Sequence, residues 1–154
     1  MNAYKYPPRE VAHLSRMLAT AATERGDRTA LRVKDVGIWQ DITWADYDRS
    51  VREIAFGLAA LGVAVGDRVA IQSENRPEWL FTDIAACALR AVTVGFYPTN
   101  PTTEVIYLLQ DSGARVLIAE DQEQVDKAME AEPECPGLEW IVYLDGRGLG
   151  SYTH

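Results

Sequence analysis

The chain has 154 residues, 47% of them hydrophobic, enough to bury one core and too few for two ordinary domains. Its 15 basic residues against 23 acidic leave a net charge of -8, so no nucleic acid and no anionic bilayer is expected as a partner, because both need clustered Lys and Arg. The three lysines, Lys5, Lys34 and Lys127, are scattered.

The N-terminus, MNAYKYPPREVAHLSRML, carries charges and two prolines where a secretory signal needs an uninterrupted apolar core. No run reaches the roughly 18 apolar residues of a membrane span, so no transmembrane segment is expected. Val11, Leu14, Met17, Leu18, Ala21 and Ala22 fall at helical spacing up to Gly26 and Asp27, which predicts an amphipathic helix. Thr29 to Lys34 and Ile38 to Thr43 flank Asp35, Val36 and Gly37, a β-hairpin with a short Gly-containing turn. Thr43 then caps a helix, with Asp46 placed for a capping box and Trp44, Tyr47, Val51, Ile54, Leu58 and Leu61 along one face as far as Gly62.

From there the chain keeps a beat. Strands are predicted from Arg68, Val92, Val116 and Glu139, recurring every 23 to 24 residues with one helix in each interval. A strand, a helix and a return strand make the βαβ unit, whose crossover imposes parallel pairing. The apolar strands agree, since parallel strands are buried on both faces. Pro77 in the first turn before Trp79 to Arg90, Asn100 as a cap before Pro101, and Asp121 with Gln124 as a capping box mark the three helix starts. The fold class expected is α/β: an N-terminal helix and hairpin, then a βαβαβαβ parallel-sheet segment. Residues 1–154 form one domain or subdomain, with 145–154 as a flexible tail.

Ligands of open α/β sheets gather at the loops after the strands' carboxyl ends, which are four here. Ser73, Glu74, Asn75, Arg76 and Pro77 bring a carboxylate, an amide and a guanidinium to a helix N-terminus. The group can hold an anion, or else Asn75 caps the helix while Arg76 pairs with Glu74 or solvent; the latter is favoured. In the second loop, Phe96 and Tyr97 precede Pro98, Thr99, Asn100 and Pro101 and serve either as a pocket wall or as core. Asn75, Arg76, Tyr97 and Thr99 are therefore the candidate loop residues. Glu120 and Asp121 suggest a magnesium site, but Asp121 is better placed as a helix cap and no lysine ends a neighbouring strand. Asp145 to Gly150 reads G-x-G-x-G, which is not the spacing of a dinucleotide loop, and no helix follows.

Cys87 and Cys135 have neither metal spacing nor a disulfide framework, which suits a reducing cytoplasm. His13 and His154 have no ligand ladder beside them, so no metal site is expected, and no nucleophile elbow occurs. Trp39, Trp44, Trp79 and Trp140 fall in predicted strands or helix starts, where large aromatics serve the core.

The segments ITWADYDRSVREIAFGLAALGVAVGDRVAI, SENRPEW and FYPTNPTTEVIYLLQDSGARVLIAE, in that order and spacing, resemble the N-terminal portion of adenylate-forming (AMP-binding) enzymes. The YPTNP turn and the DSGARVL strand are most similar to bacterial long-chain fatty acid:CoA ligases, and the likeness runs from about Ala30 to Leu144. The resemblance implies a parent several times longer that uses ATP and magnesium to join a fatty acid to AMP, then passes the acyl group to coenzyme A. It implies that the phosphate loop and the C-terminal catalytic lysine lie downstream of His154. No catalytic, cofactor-binding or metal-binding residue then carries over to this chain.

The expectation is a scaffold fragment of an ATP-dependent acyl-CoA ligase, inactive alone, with the remainder of the parent as partner. Such a fragment is expected in the cytoplasm, its parent associating peripherally with membranes. Apolar surface left bare by the missing remainder is expected to drive homodimer formation. Two other readings stand beside it: a stand-alone doubly wound domain responsive to nucleotide or phosphate through Glu74, Glu120 and Asp121, and a structural interaction module.

Overall fold

The computed structural model describes residues 13–150. Helix α1 (Leu14–Arg25) buries Leu18 and packs on α2 and α3, the helices of one sheet face; Val11, placed on α1 by its spacing, lies outside the described residues. Strands β1 (Thr29–Asp35) and β2 (Ile38–Thr43) pair antiparallel, with Asp35 opposite Ile38. The turn is thus only Val36 and Gly37, both at positive φ (45° and 83°), the two-residue geometry whose twist matches that of the strands. Asp35 belongs to β1, one residue further along than the hairpin spacing suggests.

Helix α2 (Trp44–Ala60) begins with the expected capping box: Asp46 N donates to Thr43 Oγ1 at 3.1 Å, and Thr43 N donates to Asp46 Oδ2 at 3.3 Å. Its buried stripe is Tyr47, Val51 and Leu58.

Four parallel strands follow, β3 (Arg68–Gln72), β4 (Val92–Phe96), β5 (Val116–Ala119) and β6 (Trp140–Tyr143), in the spatial order β4-β3-β5-β6. The connecting helices are α3 (Pro77–Ala88), α4 (Thr102–Ser112) and α5 (Gln122–Ala131), the last followed by a 3-10 turn at Glu132–Glu134. Alternate side chains of the two central strands enter two cores. Val69, Ile71, Val116 and Ile118 pack with Tyr47, Val51, Leu58, Phe81 and Ala85 from α2 and α3; Ala70 and Leu117 pack with Val105, Leu109, Ala128 and Ala131 from α4 and α5. Covered on both faces, Val69, Ala70 and Ile71 of β3 and all four residues of β5 are apolar, which is why they stand out in sequence. Among the described residues no helix is long and apolar enough to cross a membrane.

One helix start and one helix end differ from the sequence reading. Asn100 does not cap α4: Pro101 occupies the N-cap position, extended at φ -70° and ψ 161°, and the Asn100 amide donates instead to the Glu104 carboxylate. Helix α3 ends at Ala88, two residues before Arg90, which turns into the left-handed region at φ 60°.

Two arginines tie the strand starts. Arg68 donates from Nε to Ser112 O and from Nη2 to Gly113 O, both at 2.7 Å, and so satisfies carbonyls at the end of α4. Gly113 is needed there: φ is 61°, and a Cβ would lie 2.6 Å from Arg68 Nη2. Arg115 donates to Asp67 Oδ2 at 2.6 Å, to both Glu139 oxygens at 2.8 and 2.6 Å, and to Gly62 O at 3.2 Å. The hydrogen bonds that Arg115 donates to Glu139 and Asp67 raise its pKa. The Glu139 carboxyl is held below its usual range by Arg115, and that of Asp67 by the Ala64 N–H and then by Arg115.

Carboxyls lowered in the folded state add stability that is complete above about pH 5 and lost as the pH falls through their folded values. Arg115→Met should therefore lower the urea unfolding midpoint at pH 7 and flatten its fall below pH ~5. The acid limb of Asp67 persists in part, because the Ala64 N–H remains. Urea melts of both proteins from neutral to acid pH check this; an acid limb unchanged in the variant would refute the clamp.

Candidate functional site

The chain runs from β3 outward to β4, then crosses back to β5 on the other side of β3, so the crevice between β3 and β5 is the sheet's switch point, the usual ligand position. Glu74, Asn75 and Arg76 follow β3 there, and Glu120 and Asp121 follow β5. The crevice is closed by its own side chains. Glu120 Oε2 accepts the Glu74 N–H at 2.6 Å, and its Oε1 accepts Arg76 Nη1 at 3.2 Å. Arg76 Nε also donates to Glu78 Oε2 at 3.3 Å. Burial works against the Arg76 charge, but Glu120 and Glu78 outweigh it and raise the guanidinium pKa.

Arg76 therefore pairs with Glu120 and Glu78, not with Glu74 or solvent. Asn75 does not cap α3 either: Arg76 holds the N-cap position, extended at φ -117° and ψ 158°, and makes no side-chain cap. A residue before proline is pushed out of the helical region, which moves the cap from Asn75 to Arg76.

The four candidate loop residues do not converge. Asn75 and Arg76 line a cleft of about 300 Å³ with Leu31, Val33, Trp79 and Leu80, between β1 and the start of α3. Thr99 lines a separate cleft of about 250 Å³ with Glu74, Pro98, Glu120 and Gln124. Tyr97 lines neither and is 79% exposed, while Phe96 beside it is core.

Asp121 caps α5, its Oδ1 accepting the N–H groups of Glu123 at 3.0 Å and Gln124 at 3.5 Å. The other half of the expected capping box is replaced: the Gln124 amide donates to Pro98 O at 3.5 Å. Lys127 Nζ joins it on Pro98 O at 2.8 Å, and Gln72 Nε2 donates to Tyr97 O at 3.4 Å. These three side chains hold the loop after β4, where the sequence reading placed Gln124 in a capping box and gave Gln72 and Lys127 no structural role. The one available signal was Gln72, a polar residue directly after the apolar run Val69, Ala70 and Ile71, fully buried with Oε1 left without a partner.

Past β6, Asp145 N donates to Glu120 O at 2.8 Å, and Arg147 Nε donates to Asp145 Oδ2 at 2.8 Å. Hydrogen bonds from the Arg147 side chain and backbone hold the Asp145 carboxyl down at about 2. Among the described residues no three His, Cys, Asp or Glu side chains are grouped to hold a metal ion. At the switch point Glu78 and Glu120 pair with Arg76, so the guanidinium charge is already compensated and the carboxylates there disfavour a nucleotide polyphosphate.

The sequence profile described as AMP-binding enzyme matches residues 18–152. Over 112 residues the chain is 40% identical to the long-chain-fatty-acid–CoA ligase FadD15 of Mycobacterium tuberculosis, an alignment covering 73% of this chain and 19% of that protein. It is 35% identical over 120 residues to protein Rv1549 of the same species, covering 78% of this chain and 66% of the relative. Among solved structures, acetoacetyl-CoA synthetase from Streptomyces lividans matches with a TM-score of 0.80 at 26% identity, over 90% of this chain and 23% of that one. The chain spans about a fifth of the length of the FadD15 ligases it matches.

If Asp121 is a cap and not a metal ligand, Asp121→Asn should be nearly neutral, whereas Asp121→Ala should cost about 0.5–2 kcal/mol in chemical denaturation. A magnesium-dependent rise in melting temperature that disappears in Asp121→Asn would reverse the assignment.

Proposed function

We propose, from the premise that this chain belongs to the AMP-binding enzyme family as the N-terminal part of such an enzyme, that it is the scaffold module of an ATP-dependent long-chain fatty acid:CoA ligase. Its helix, hairpin and parallel sheet supply a platform for the rest of the large domain and contribute no reacting group. The parent reaction joins a fatty carboxylate to AMP and then transfers the acyl group to coenzyme A, which needs cationic groups and magnesium against the developing phosphate charge. One observation carries the reading: at the switch point, where a ligand would sit, Arg76 is neutralised by Glu120 and Glu78, and Asp121 is spent on capping α5.

The same observation counts against a stand-alone nucleotide- or phosphate-responsive domain using Glu74, Glu120 and Asp121. Two of those carboxylates already have structural partners, and all three repel a phosphate. The partners of the module are the remainder of the parent and, through it, the fatty acid, ATP, magnesium and coenzyme A. Its compartment is the cytoplasm, where the spacing of Cys87 and Cys135 fits reduced thiols.

The isolated chain is expected neither to exchange pyrophosphate into ATP nor to form acyl-CoA from palmitate, ATP, magnesium and coenzyme A. Product above blank that survives repurification would overturn the scaffold reading.

A further inference from the structure

The sheet has two free edges, and they are not equivalent. On β6, Trp140 N donates to Arg115 O at 3.1 Å and Leu144 N to Ala119 O at 2.9 Å, so the even-numbered residues face β5. Residues two apart direct their N–H and C=O to the same side, which leaves those of Ile141 and Tyr143 pointing away from the sheet. Edge strands of self-contained proteins are guarded by Lys, Pro or a bulge, and the sequence Trp-Ile-Val-Tyr has none of these.

Apolar surface accompanies the free backbone on β6. Trp140 is 47% exposed and Tyr143 is 55% exposed, and a cleft of about 260 Å³ lined by Met129, Leu138, Trp140 and Ile141, with the Glu132 and Glu139 side chains, runs beside them. The opposite edge offers less. Val92 N donates to Asp67 O at 2.8 Å, so the outward residues of β4 are Thr93 and Gly95, and one face of Gly95 is overlaid by the Trp79 ring, 3.3 Å from where a Cβ would stand.

We propose that the β6 edge receives a parallel strand from the remainder of an adenylate-forming large domain, and that it does so even when that remainder is a separate polypeptide. The inference rests on the scaffold reading above. That occupant is favoured because the alignment covers only 19% of the mycobacterial ligase, and because β6 provides open hydrogen-bonding groups beside a cleft of apolar side chains rimmed by Glu132 and Glu139. A separate partner is favoured because Rv1549, two-thirds covered by the alignment, is itself a short chain. The partner strand bonds Ile141 and Tyr143 through its backbone and places an apolar side chain in the cleft beside Trp140.

The test is co-expression of the tagged full chain with the M. tuberculosis FadD15 ligase shortened by the segment that aligns with it. The expected result is a soluble, co-purifying pair. Tyr143→Pro removes an outward N–H that the fold does not use, and Tyr143→Lys guards the edge without touching the backbone. Each should cut co-purification by about tenfold, while Val92→Lys on the opposite edge leaves it unchanged. Circular dichroism of each variant alone confirms that it is folded.

A shortened ligase that is insoluble with and without the chain, or soluble and unbound, overturns the inference. So does binding lost in Val92→Lys but kept in both Tyr143 variants, or a homodimer of the chain that Tyr143→Lys dissolves. None of these touches the scaffold reading, which fails only if the chain alone makes acyl-CoA.

Discussion

One guanidinium organises the amino ends of the strands. Arg115 enters β5 with its own N–H bonded to Arg68 O and its C=O accepting from Glu139 and Trp140, so its backbone already joins β3, β5 and β6. Its side chain repeats the connection with charge, reaching Asp67 ahead of β3, Glu139 ahead of β6, and the Gly62 carbonyl beyond α2. Parallel strands have no hairpin to set their register, and each start must be located across a crossover of some twenty residues. A planar group with five donors, engaging one carboxylate through two of its nitrogens, holds three such starts in one plane. Arg68 performs the corresponding task for the end of α4.

The carboxyl ends of the strands are tied in a different way. There the chain uses Glu120 as the hub, with Glu74 and Arg76 brought to it from 46 and 44 residues away. In a nucleotide-binding α/β domain the same position presents unpaired backbone N–H groups or cations to phosphate. Here a carboxylate has taken the Glu74 N–H and the charge of Arg76, so the switch point has become part of the scaffold. The position that carries ligand chemistry in other open sheets holds loops together here.

How far the sequence reveals this depends on the range of the interaction. The four-strand beat was readable because β3 and β5 are covered on both faces and so are apolar at every position but Arg68 and Gln72, the two ends of β3. The Thr43–Asp46 box and the Asp121 cap were readable because partner and backbone lie within three residues. The cap assigned to Asn75 failed for a local reason, since Pro77 holds Arg76 extended in the N-cap position; that assigned to Asn100 failed because Pro101, extended at ψ 161°, occupies the N-cap position itself. The partner of Arg76, the closing of the switch point by Glu120 and the hold of Gln72, Gln124 and Lys127 on the Tyr97 and Pro98 carbonyls were not readable. They span 25 to 46 residues and exist only once the strands are in register.

The central claim is a folded but unfinished sheet, and residue-resolved amide hydrogen exchange on the chain alone tests it most directly. The account predicts strong protection through β3 and β5 and an alternation along β6, with Trp140, Val142 and Leu144 slow and Ile141 and Tyr143 fast. Uniform protection along β6 would mean that its edge is already covered and that the module is complete without a partner. Fast exchange throughout β3 and β5 would mean that the platform does not form on its own.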